Sequence, residues 1–185
     1  MSASIERAAE VSASLLEIKS RVQELAVGRA HAPTLVAVSK YKQASDILTC
    51  YEDGHLDFGE NYVQELVDKA EALPAKIRWH FIGTLQSNKA KTLAGISNLH
   101  TIQTLTSSKT AKALDKALPP ERTTPLNILI QVNTSGEDAK SGLPPLSSAS
   151  ETNTVAVATA FLESLKDSGV LSTRKDIAIF TASPR

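Results

Sequence analysis

The sequence predicts an α/β protein built on a parallel sheet, and three observations carry that reading. Strand-like and helix-like runs alternate five times, the connections between them are short, and the strands are rich in apolar and β-branched residues, as in "TLVAVS" and "PLNILIQVN". Short-looped alternation of this kind requires parallel strands joined by right-handed crossovers. A chain of 185 residues is long enough to bury roughly 70% of its unfolded surface in one domain. Two architectures satisfy the pattern, a doubly wound open sheet and a (β/α) barrel. No G-x-G-x-x-G follows the first strand, so the dinucleotide-binding fold lacks its principal mark.

The elements follow in order. Residues 4 to 27 read as an amphipathic helix, with Ile5, Ala8, Ala9, Leu15, Leu16, Ile18, Val22, Leu25 and Ala26 at helical spacing and Gly28 as its stop. "TLVAVS", after Pro33, suits a fully buried parallel strand. Residues 43 to 52 form a helix with Ile47, Leu48 and Tyr51 inward and Gly54 at its end. "LDFG" is a short strand. "NYVQELVDKAEAL" is a helix with Asn61 as candidate N-cap and Pro74 beyond it. "RWHFIG" is a strand, "SNKAKTLAG" a short helix, "NLHTIQTL" a strand, "SSKTAKALDKAL" a helix and "PLNILIQVN" a strand. After Gly142 the composition turns to Pro, Ser and Thr, which reads as a loop. "VAVATAFLESLKDSG" then returns to helical spacing, and "KDIAIFTASPR" reads as a sixth strand.

Composition narrows the function. Lys and Arg together number 20, as do Asp and Glu, so the formal net charge is zero. That argues against nucleic-acid and membrane-surface binding, which call for a basic surplus. One cysteine, Cys50, allows neither an internal disulfide nor a CxxC pair, and points to a reducing compartment. Charges interrupt the N-terminal segment, so no secretory leader is expected. The cytoplasm is the expected location, with the mitochondrion left open, and a monomer is the expected state.

In parallel α/β architectures function sits at the carboxyl ends of strands. Lys40, at the end of "VAVS", is therefore either a solvated surface charge or an amine placed beside an apolar wall, where desolvation favours the neutral, nucleophilic form. "FGENYVQE" puts Glu60 and Asn61 where a strand gives way to a helix, whose first amides attract anions or ring oxygens. His80, in "WHFIG", is either packed or functional. The four histidines show no metal-ligand spacing, so no metal site is expected. Neither a phosphate loop nor a G-x-S-x-G elbow occurs.

Taken in order, "AVSKYK", "FGENYVQEL", "IRWHFIGTLQSNKAK" and "QVNTSGEDAKSGLPP" closely resemble the YggS/PROSC family, the pyridoxal phosphate homeostasis proteins. The resemblance runs unbroken over about residues 34 to 145. It implies a TIM-type (β/α) barrel like the N-terminal domain of alanine racemase, holding pyridoxal 5′-phosphate as a Schiff base on Lys40. It also implies Asn61 beside the cofactor and His80 in the wall behind its ring. Family members act as carriers or regulators of vitamin B6, with PLP-dependent apoenzymes as recipients, and no robust catalysis is expected. A racemase would need a second acid/base on the opposite cofactor face. The departure is C-terminal. The family's "SMGMS"-like and "RxG" segments, which supply the phosphate grip, are not found. The expectation is thus a single domain over 1–185, family-like over 1–145 and divergent or truncated over 146–185, an incomplete barrel of five or six strands out of eight. A PLP-dependent amino-acid racemase and a fragment with weak or no cofactor binding stand as alternatives.

Overall fold

The computed structural model describes residues 2–133, 135, 137 and 139–143, together with the backbone of a strand at 177–182. Helix α1 (Ile5–Ala26) starts where the Ser4 hydroxyl accepts from the Arg7 amide at 3.2 Å, and it stops before Gly28, whose φ of +80° suits glycine. Then come β1 (Ala37–Val38), α2 (Ala44–Glu52), β2 (Asp57–Glu60), α3 (Val63–Ala72) and β3 (Arg78–Phe81). A 3₁₀ turn at Ser87–Lys89 leads into α4 (Ala90–Ala94), followed by β4 (Leu99–Leu105), α5 (Ser108–Ala117), β5 (Asn127–Asn133) and β6 (Ile177–Ala182). The loop and helix expected across 144–169 lie outside the described residues.

All five strand pairings are parallel, and the sheet order is β1-β2-β3-β4-β5-β6. Each crossover therefore steps the same way. A doubly wound sheet reverses direction at a switch point, whereas a barrel does not. The winding is that of a barrel, here an arc of six strands.

The two sheet faces differ in chemistry. Phe58, Trp79, Phe81, Leu99, Ile102 and Leu105 point into one apolar core with Ile47 of α2, Leu66 of α3, Leu93 of α4 and Leu114 of α5. Side chains alternate along a strand, so Asp57 and His80 fall on the other face. There they meet His100 and Gln103 of β4.

One expectation is corrected. The first strand is not fully buried: β1 is a two-residue edge strand that pairs only with β2 among the described residues, and Val38 is 54% exposed. Helix α1 buries its inward stripe of Ala8, Val11, Leu15, Val22 and Ala26 only in part. Leu15 is its one fully buried residue, while Ile5, Leu16 and Leu25 are exposed. The reason is position: α1 lies outside α2, held by Arg7 donating to Asp46 at 2.8 Å and by Ser12 donating to Asp53 at 2.6 Å. A groove of about 670 Å³ remains between α1, α2 and β1.

Candidate cofactor site

Lys40 stands at the carboxyl end of β1, where the sequence places it. The ladder continues one residue past the strand, with the Ser39 amide donating to the Gly59 carbonyl at 2.9 Å. The chain then turns, and the Lys42 amide donates back to Ser39 at 3.0 Å. By alternation Val36 and Val38 share the face away from the helices, and Lys40 lies in the turn that follows. A Cβ on Gly59 would come within 3.2 Å of both Val36 and Ile82, so the absence of a side chain leaves an apolar floor under the strand ends. Lys40 itself is exposed, not packed against a wall as one reading expected, because β1 is an edge strand.

The loop carrying Lys40 is tied down from the helix side. The Ser39 hydroxyl donates to Glu60 Oε1 at 2.7 Å. Lys69, from α3, donates to that same oxygen at 2.6 Å, to the Ser39 carbonyl at 2.8 Å and to Glu65 Oε1 at 2.6 Å. Glu65 Oε1 in turn accepts from the Tyr41 amide at 2.7 Å. Tyr41 has a φ of +62°, the one positive value on a non-glycine residue among those described. Such a conformation costs roughly 1–2 kcal/mol and persists where surrounding contacts over-determine it. The buried Lys69 and the two carboxylates thus hold the backbone on both sides of Lys40.

Asn61 lies half-buried at the carboxyl end of β2, next along the sheet from Lys40. It is not the N-cap: α3 begins at Val63, and Tyr62 takes the cap position with no side-chain cap bond. Asn61 is placed by backbone packing instead. A Cβ on Gly83 would fall 2.0 Å from the Asn61 carbonyl oxygen, and Thr104 donates its hydroxyl to the Gly83 carbonyl. The loops after β2 and β3 and the end of β4 are locked together in this way. Tyr41 and Tyr62 share a hydroxyl–hydroxyl hydrogen bond with ring centroids 5.1 Å apart at this exposed edge. That bond from Tyr62 raises the Tyr41 phenol above its ordinary range.

His80 pairs in register with Gly59, which pairs with Val38. It therefore lies level with Val38, deeper in the sheet than the turn that carries Lys40. Its ring is committed there: Nε2 lies 3.0 Å from Asp57 Oδ1, and Gln103 approaches Nδ1 at 3.2 Å. Arg78 also binds both Asp57 oxygens. Burial pushes the Asp57 carboxyl up, but the hydrogen bonds from His80 and Arg78 outweigh it and leave the group well below the usual carboxylate range. Burial pushes the neighbouring His100 down. Asp57, His80 and His100 offer donor atoms within 4.8 Å of one another, a grouping across three strands that local spacing could not reveal. The Asp57 charge is already met by Arg78, so a cation would have to displace a guanidinium.

The arrangement does fit a carbonyl-bearing ring cofactor in one respect. A primary amine stands exposed just past a strand end, near apolar side chains around Gly59, on a loop held by hydrogen bonds to Ser39 and Tyr41. Sequence reasoning missed the Glu60–Lys69–Glu65 network. Its signal was the i, i+4 pair Glu65–Lys69, readable as a helix-face ion pair but not as a prop for a loop some 30 residues earlier.

Fold and site together define a class: a barrel-wound α/β protein presenting a lysine at the mouth of its first strand. No family model matches the chain. Its similarity to known proteins is nevertheless clear. It is 44% identical over 128 residues to the pyridoxal phosphate homeostasis protein of Schizosaccharomyces pombe, covering 69% of this chain and 53% of that one. It is 40% identical over 149 residues to the human protein of the same name, covering 73% and 53%. Among solved structures, PipY of Synechococcus elongatus with PLP bound superposes with a TM-score of 0.62 at 25% identity, covering 94% of this chain and 71% of that one. The chain belongs to the YggS/PROSC family of pyridoxal phosphate homeostasis proteins. It spans about half the length of the curated relatives it matches.

Proposed function

We propose that this chain binds pyridoxal 5′-phosphate covalently at Lys40 Nζ and takes part in intracellular PLP homeostasis, handing the cofactor to apoenzymes rather than catalysing a reaction of its own. The observation that carries the reading is the position of Lys40, at the carboxyl end of the first strand of a barrel-wound sheet like that of PLP-bound PipY. When bound, the cofactor supplies an aldehyde that condenses with a primary amine. The chain's own residues do the rest. Lys40 offers an exposed amine, Val36 and Ile82 make an apolar floor, and Asn61 offers a half-buried amide at the adjacent strand end. His80 acts one layer lower, keeping that floor rigid through Asp57 and Gln103. No helix among the described residues is long and apolar enough to cross a membrane. The reading expects a monomer in the cytoplasm, with the mitochondrion left open.

The test is borohydride fixation with excess cofactor followed by peptide mass mapping. A modified peptide containing Lys40, lost in Lys40→Ala, is the expected result. Absence of any fixed adduct at saturating cofactor refutes the proposal. Because Lys40 is exposed, Lys40→Ala should leave stability within about 0.5 kcal/mol of the parent.

A further inference from the structure

We infer that Lys69 and Glu65 are positioning residues for Lys40, a clamp that sets the conformation of the Ser39–Tyr41 segment from beneath. The inference rests on the reading of Lys40 as the attachment point and adds what holds it there.

Three charges converge here, two of them buried and the third, Glu65, with a side chain 22% exposed. Glu60 is 0% exposed and Lys69 is 6% exposed. Two carboxylates against one ammonium leave the cluster formally negative, and Glu60 Oε2 is buried with no hydrogen-bond partner among the described residues. Burying ion pairs commonly adds little net stability compared with apolar packing, so stability alone is a weak reason for such a cluster. Its outward contacts supply a better one. The network makes two bonds to the backbone around Lys40, Lys69 Nζ to the Ser39 carbonyl and Glu65 Oε1 to the Tyr41 amide. The first fixes the residue before Lys40, and the second holds Tyr41 in its left-handed conformation. An exposed lysine has no packing to direct its side chain, so the direction in which its chain leaves the backbone is set by its neighbours' dihedrals. Reactivity at a positioned amine is sensitive to displacements of about an ångström.

The test pairs a readout that needs no cofactor with one that does. Amide hydrogen exchange of Tyr41 and the rate of borohydride-fixed adduct formation at Lys40 are measured on the full chain and on Glu65→Ala, Glu65→Gln and Lys69→Met. Glu65→Ala and Lys69→Met are expected to speed Tyr41 exchange while the Trp79 and Phe81 amides stay protected, and to slow fixation by about tenfold or more. Glu65→Gln keeps the accepting oxygen and should restore most of both. If Lys69→Met does not fold, the Ala and Gln variants of Glu65 decide the matter alone. Variants that melt lower yet keep the parent's Tyr41 exchange and fixation rate would show a merely structural network and overturn the inference. A parent chain that forms no Lys40 adduct, with Tyr41 exchange still accelerated by Glu65→Ala, would refute the cofactor reading and uphold the clamp.

Discussion

Position 83 shows how finely the strand ends are packed. A Cβ there would lie 2.0 Å from the Asn61 carbonyl oxygen and 2.8 Å from its carbon, both backbone atoms that cannot swing aside. Gly83→Ala must therefore push the β2 and β3 loops apart, at an expected cost of about 1–3 kcal/mol. The measurement is a urea midpoint shifted at unchanged slope. Gly59 offers the internal control. Its added Cβ would meet the ends of the Val36 and Ile82 side chains at 3.2 Å, and these can rotate by a few tenths of an ångström. Gly59→Ala should cost less than Gly83→Ala, and the reverse order would mean that the Asn61 loop is free to move. The close approach that makes Gly83 necessary was invisible in "FIGT", since it depends on a backbone atom more than twenty residues away.

At the scale of elements, β2 and β3 are joined by more than their ladder. Asp57 opens β2 and Arg78 opens β3, and their side chains pair on the face that also holds His80. The Asp57 carboxyl is depressed in the folded protein, so its contribution is present above the unfolded carboxylate value of about 3.9 and is lost as pH falls through and below it. Arg78→Met should cost about 1–2 kcal/mol at neutral pH, allowing for an arginine side chain that is 47% exposed. The gap should narrow only as pH falls below about 4, toward the depressed folded value, in denaturant titrations. A gap constant across that range would assign the effect to packing of the arginine stem. Nearly every element was legible because its signal is local: Ser107 accepting from Thr110 at the start of α5, Gly28 and Gly54 at positive φ, the apolar run of β5. What failed depended on neighbours. "TLVAVS" has the composition of a buried strand but occupies an edge. Asn61 has the chemistry of a cap, but the close approach of Gly83 holds it one residue before the cap position. Lys40 was legible as a position and through the ordered family motifs. Its support was not, because Glu60, Lys69 and Ser39 meet only once the sheet has formed.

On the scale of the whole molecule, the consecutive strand order ranks the strands by protection. β3 lies between β2 and β4, and Trp79 and Phe81 are buried completely against the helices. β4 is covered likewise by Leu99, Ile102 and Leu105. β1 has one partner, two residues and a half-exposed Val38. Opening β3 disrupts two ladders and the shared core, whereas opening β1 exposes little apolar surface. Native-state amide exchange should therefore find Phe81 and Ile102 opening only with global unfolding, and Ala37 and Val38 opening at much lower free energy. The ranking bears on the role proposed for Lys40, which follows the weakly protected β1. The Lys40 loop is tied to the sheet only through Ser39, to Gly59 and Glu60 of β2, and draws its further restraint from α3, where Lys69 and Glu65 reside. Protection of β1 equal to that of β3 would contradict this ordering and would mean that the open edge of β1 is covered in solution. In that event Val38→Lys, which places a charge on the half-exposed face of this edge strand, should lower β1 protection selectively. If it did so while β3 kept its rate, the cover would be a strand or chain seated along β1 rather than added stability of the sheet as a whole.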